Sequence, residues 1–113
     1  MNFLAHAWLA GDDPAHQLGG LMGDFVKGPL PAGLPTDIAA GVALHRRIDV
    51  FADGHPAFCR SRGRISPARR RAAGILVDMF YDHFLALHWS DFHPEPLPAF
   101  TARMYALMDA HHR

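Results

Sequence analysis

Proline placement constrains this chain more than any other feature. Pro29, Pro31 and Pro35 crowd one stretch, and Pro94, Pro96 and Pro98 crowd another. Proline removes a backbone donor and its ring clashes inside a helix, so both stretches must be loops. Elsewhere proline stands where a helix can begin. Asp13-Pro14 and Ser66-Pro67 each pair a capping residue with proline at the first helical position. The expected helices run from about Asn2 to Ala10, from Pro14 to near Lys27-Gly28-Pro29, and from a Thr36 cap to about Ala52. A short helical or irregular piece follows His55-Pro56. The longest helix is expected from Pro67 to about Trp89, and a last one from Ala99 onward. No run alternates with period two for long enough to make a strand, and there is no internal repeat. The expectation is an all-α helical bundle forming a single domain, residues 1–113.

Half of the 113 residues are hydrophobic, which supports a modest core and excludes a wholly disordered chain. Eleven basic residues balance eleven acidic ones, which argues against a general nucleic-acid coat. A lone cysteine, Cys59, rules out an internal disulfide framework and a thiolate metal cage, and suits a reducing cytoplasm. No segment reaches the ~20 apolar residues that a membrane span needs. The apolar N-terminus lacks a basic leader region and is interrupted by His6, so it reads as a helix and not a secretion signal. The abnormal count is nine histidines, a residue that serves as metal ligand and general base.

Several of these polar residues fall on apolar helix faces. On the third helix Ile38, Val42, His45, Asp49 and Ala52 share one face by helical spacing. On the long fourth helix Ile75, Asp78, Asp82, Leu85 and Trp89 do the same, with Met79 and Ala86 beside them. Asp78 and Asp82 are one turn apart and repel if both are buried, so they need a partner that their helix does not supply. His6 lies with Phe3, Leu9 and Ala10, and Asp24 lies near Leu21 and Phe25, just after Gly19-Gly20. Singly, each residue could be a hydrogen-bonded core group or a cap. Four helices that each aim a His or Asp inward are how a bundle builds a metal site. His88, His93, His111 and His112 read as surface or terminal residues. Nitrogen and oxygen donors without thiolate suit Mn²⁺, Mg²⁺, Fe²⁺ or Zn²⁺, ions that activate water on phosphate esters. Arg46 and Arg47, beside His45, could clamp an anion, although for Arg47 a solvated face is the simpler reading.

Four segments taken together are specific where each alone would be weak. Met1-Asn-Phe-Leu-Ala-His6, Gly-Asp24-Phe-Val-Lys-Gly28, Leu44-His-Arg-Arg-Ile-Asp49 with Asp53 and His55-Pro56, and Asp78-Met-Phe-Tyr-Asp82-His-Phe-Leu occur in this order over Met1 to Trp89. In this the chain resembles the acyl carrier protein phosphodiesterase family, distant relatives of the helical HD-type metal phosphohydrolases. The resemblance implies a cytoplasmic, Mn²⁺-dependent enzyme that removes 4'-phosphopantetheine from the serine of holo-acyl carrier protein. It also implies a metal centre of Asp24, His45, Asp49, Asp78 and Asp82, with His6 and His83 nearby and Asp24, His6 and His83 as catalytic candidates. The His-Asp doublet that names the HD group is absent; Asp82-His83 has the reverse order, which leaves the individual ligands open. Family members usually continue with more helix, so a C-terminally short domain is expected.

Arg60, Arg62, Arg64, Arg69, Arg70 and Arg71 hold more than half of the 11 basic residues. By default such a cluster is a solvated face. Because acyl carrier proteins are acidic, the resemblance makes it a candidate docking patch. Nucleic acid is a weaker partner, since no aromatics interleave the arginines. Two other readings stay open: an HD-like phosphohydrolase of a small phosphate ester or nucleotide, and a non-catalytic helical metal-binding or interaction module.

Overall fold

The computed structural model describes residues 1–112, without the side chain of His112; Arg113 lies outside the described residues. Among the described residues there are six α-helices and no strand. They are α1 (Phe3–Leu9), α2 (Pro14–Met22), α3 (Thr36–Gly54), α4 (Pro56–Gly63), α5 (Ala73–Leu87) and α6 (Leu97–His112). The expected all-α architecture is what the chain adopts, as a slab of 44 × 35 × 21 Å.

Several boundaries follow the punctuation. Asp13 caps α2, accepting hydrogen bonds from the backbone N–H of Ala15 and His16, with Pro14 in the first turn. α3 begins at Thr36, but Pro35 occupies the capping position and no side chain caps the end. The second helix stops earlier than expected, at Met22, and continues as a 3₁₀ turn over Gly23–Phe25. The long helix expected from Pro67 is divided. Pro67–Ala72 is a 3₁₀ segment broken at Arg69 (φ −114°, ψ 16°), and α5 starts only at Ala73. α3, with 19 residues, is therefore the longest helix.

α2 and α3 form the centre of the slab and touch backbone to backbone. A Cβ built on Gly19 would lie 2.6 Å from the Cα of Gly41, and one on Gly41 would lie 2.8 Å from the Cα of His16. Only glycine permits so close an approach. α1 packs on α2 and α5, α4 on α3 and α5, and α6 on α2. The main core joins Ala5, Ala7, Leu21, Leu85, Trp89, Phe100 and Met104. The α3 stripe faces inward as its spacing predicts, with Ile38, Val42 and His45 buried. α5 buries Leu85, with Trp89 just beyond its end, on the expected face and adds Ala73 and Val77, while Ile75 and Met79 are exposed. No described helix is long and apolar enough to cross a membrane.

Candidate metal centre

Two helices bring His6, His45 and Asp49 together. α1 carries His6, and α3 carries His45 and Asp49 one turn apart. One donor atom from each lies within 4.8 Å of the others, a group able to hold a metal ion. Asp49 spans the pair, with Oδ1 2.9 Å from His6 Nε2 and Oδ2 3.3 Å from His45 Nε2. The two rings stack with centroids 3.6 Å apart. Both histidines are buried and Asp49 is half-buried.

The hydrogen bonds around His45 define its tautomer. Its Nδ1 is 2.7 Å from the carbonyl oxygen of Gly20, which can only accept, so Nδ1 carries hydrogen. In the neutral ring Nε2 is then a lone pair, yet it faces Asp49 Oδ2 and, at 3.2 Å, Asp24 Oδ1. Acceptor faces acceptor on both sides. A cation between the ring and the two carboxylates resolves this. Metal-bound histidine commonly donates its second N–H to a carbonyl in this way, fixing the ring. His6 lacks such support, for its Nδ1 is buried without a partner. Two imidazoles and a carboxylate, with no thiolate, fit a hard or borderline divalent ion.

The charges nearby are skewed toward the same end. Burial, with the adjacent His45 ring, holds the His6 pKa below its usual range against the opposing pull of Asp49. Burial would raise Asp49, but the Met1 ammonium at 3.0 Å and the two imidazoles outweigh it, so its pKa is lowered. Asp78 is 3.4 Å from the same ammonium. That contact is an ion pair without an aligned hydrogen bond to the buried Oδ1, and burial leaves the Asp78 carboxyl raised.

The chain matches, over residues 1–113, the model of a family described as acyl carrier protein phosphodiesterase. It is 41% identical to the protein of that name from Photorhabdus laumondii over 112 residues, which are 98% of this chain and 57% of the relative. Identity to the Enterobacter sp. protein of the same name is 44% over 102 residues, 89% of this chain and 53% of the relative. The chain belongs to the acyl carrier protein phosphodiesterase family. It spans about half the length of the curated relatives it matches. No solved structure matches it.

Of the residues that family resemblance singled out, His6, His45 and Asp49 converge, with Asp24 exposed at the rim and Asp78 across the Met1 amine. Asp82 goes elsewhere. Its Oδ1 accepts from Ala5 N–H at 3.1 Å and its Oδ2 from Leu4 N–H at 3.2 Å, so it caps α1 from the side of α5. Asn2, at the capping position itself, makes no such bond. The helix N-terminus thus supplies the partner that Asp82 needed. His83 is exposed against Phe84 and away from the cluster. Arg46 donates to the carbonyl of Val26 at 3.2 Å, tying α3 to the segment beyond Asp24. Arg47 is exposed and lines a cleft. Arg60, Arg64, Arg69, Arg70 and Arg71 are exposed, while Arg62 bonds the Asp53 carbonyl and lies over the Phe58 ring.

Gly23 escaped the sequence reading. A Cβ there would lie 2.2 Å from His45 Cγ, so this glycine makes room for the ring. Its signal was the glycine directly before Asp24. Asp82→Ala is expected to lose about 0.5–2 kcal/mol of stability, the usual worth of a cap, yet keep wild-type metal content. Denaturant melts and elemental analysis check both halves.

Proposed function

We propose that this domain hydrolyses the phosphodiester joining 4'-phosphopantetheine to the serine of holo-acyl carrier protein, leaving apo protein. The carrying observation is the His45 Nε2 lone pair facing the Asp24 and Asp49 carboxylates beside His6. His6, His45 and Asp49 would hold the metal, with Mn²⁺ the proposed ion, and Asp24 and Asp78 stand at its edge. When bound, such an ion supplies positive charge to a phosphoryl oxygen and acidifies water. Exposed Asp24, 3.2 Å from His45 Nε2, would orient the attacking water or take its proton. His45 keeps its orientation through Gly20. Family membership supports this substrate, and the two relatives are named for it. The proposed compartment is the cytoplasm, where that substrate class is made.

The arginine-rich segment is the proposed docking face for the acidic carrier protein. From Pro56 to Ala72 it holds six arginines and no carboxylate. Of these six, only Arg62 has an acidic side chain of the described residues within ion-pair reach, Asp53 at 3.7 Å. Charges of this kind speed encounter and are screened by salt over ~8 Å at physiological ionic strength.

The test is to incubate the Mn²⁺-loaded protein with holo-acyl carrier protein and follow its mass. Conversion to the apo form, stopped by chelator, is the expected result. Changing Arg69, Arg70 and Arg71 to Ser should raise KM and flatten its salt dependence, with kcat kept. An intact carrier protein, together with cleavage of a small phosphodiester, would favour the small-ester reading. Metal bound without either reaction would favour a binding module.

A further inference from the structure

Beside the metal centre lies a cleft of about 450 Å³ that no step above has used. Leu9, Ile48, Phe51, Ala52, Phe58 and Tyr81 line it. Met1, whose ammonium touches Asp49, stands in the same wall, so cleft and donor cluster meet at that residue. Ile48 is the residue next to Asp49. Arg47 is the one fully charged side chain of the lining. Phe51 is 72% exposed and Leu9 40% exposed, although both are large and apolar. Exposed apolar surface gathered around a concavity marks a binding site.

We infer that this cleft holds the organic arm of the phosphodiester, the uncharged aliphatic amide chain that leaves with the phosphate. The identity of the occupant rests on the phosphodiesterase reading above. A phosphorus atom at His6, His45 and Asp49 has its ester substituent directly at the cleft mouth by Met1. The arm of 4'-phosphopantetheine carries, one methylene from the phosphate oxygen, a carbon with two methyl groups, which suits a wall of Leu9, Ile48 and Phe51. Its amide carbonyls need a donor farther in, and Arg47 is present in the lining, the Tyr81 hydroxyl being engaged by Ser61 and the Ala57 carbonyl. At ~30 Å³ for a water-sized group, the volume takes about fifteen such groups, most of this arm.

The test compares two phosphate ligands by calorimetry on the Mn²⁺-loaded protein: methyl phosphate, which has no arm, and 4'-phosphopantetheine. Wild type should bind the second at least tenfold more tightly. Ala52→Phe adds a ring inside the cleft, and Phe51→Ala removes a wall at an exposed position where folding is not at risk. Both should bring the ratio near one without changing the affinity for methyl phosphate. Equal wild-type affinities, or a ratio that survives both variants, would overturn the inference. If Ala52→Phe fails to fold, Phe51→Ala carries the test alone. Pantetheine, which lacks the phosphate, is titrated as a third probe. Its binding to wild type and not to the variants, with carrier protein left intact in the activity assay, would remove the proposed function and keep the cleft. Carrier protein hydrolysis with unchanged ligand affinities in both variants would remove the cleft and keep the function.

Discussion

Asp49→Asn is expected to erase metal binding while leaving the fold standing. Among the described residues Asp49 is the one carboxylate that reaches both imidazoles, at 2.9 Å and 3.3 Å. Asparagine keeps its shape, removes its charge and turns one acceptor into a donor. In the metal-free protein that donor can face the His45 lone pair, so one bad contact is relieved while the pairing with Met1 is weakened. The apo melting temperature should therefore move by only a few degrees. The metal response should vanish. At a metal concentration 100 times Kd, wild type gains about 2.7 kcal/mol from ligand linkage, and the variant should gain none. Affinity should fall by more than the 10–100-fold typical of losing a group that merely orients a ligand. Thermal melts with and without Mn²⁺ measure both. An unchanged metal-induced shift would remove Asp49 from the site.

Gly23→Ala should be nearly as damaging, although the residue has no side chain to contribute. The added methyl would overlap the His45 ring, 2.4 Å from Nδ1 as well as 2.2 Å from Cγ. The ring must then leave the Gly20 carbonyl and its stack on His6. Overpacking of this kind costs about 1–3 kcal/mol. Metal affinity should drop about 100-fold, because the lone pair no longer points into the cluster. Removing the ring separates steric from chemical effects. In a His45→Ala background Gly23→Ala should cost far less stability than it does alone, a coupling that a double-mutant cycle reads directly. Additive effects would place the strain somewhere other than His45.

The local part of this architecture was legible because its causes are local. Asp13-Pro14 starts α2 and the proline clusters end helices, since both act within a few residues of themselves. The turn between His45 and Asp49 could also be read, for helical spacing aims both at the neighbour of Val42. Asp82 shows where such reading stops. Its partners are the N–H groups of Leu4 and Ala5, 78 and 77 residues away, and no periodicity announces them. From the sequence an inward carboxylate seeking a cation and one seeking a helix N-terminus look alike, because both answer the same unmet charge. Ile75 and Met79 are a related case: Leu85 and Trp89 of the expected face are buried while these two are exposed, because periodicity assigns a face but not how far along the helix a neighbour covers it. The division at Pro67–Ala72 had no sequence signal, as Ser66 and Pro67 open a 3₁₀ segment as readily as an α-helix.

The glycines between α2 and α3 also bear on how this domain can change over generations. Gly19, Gly41 and Gly23 already have the smallest side chain there is, and each faces neighbouring atoms closer than a Cβ tolerates. Every replacement adds matter at these three places, and none can be offset by trimming the opposite residue where that residue is backbone or another glycine. Drift there is one-directional and blocked at the first step. The cleft walls differ, because Leu9, Phe51 and Ala52 can grow or shrink against open space. Descendants of this fold are free to alter what the cleft accepts, while the distance between the two central helices, and with it the seat of His45, stays fixed.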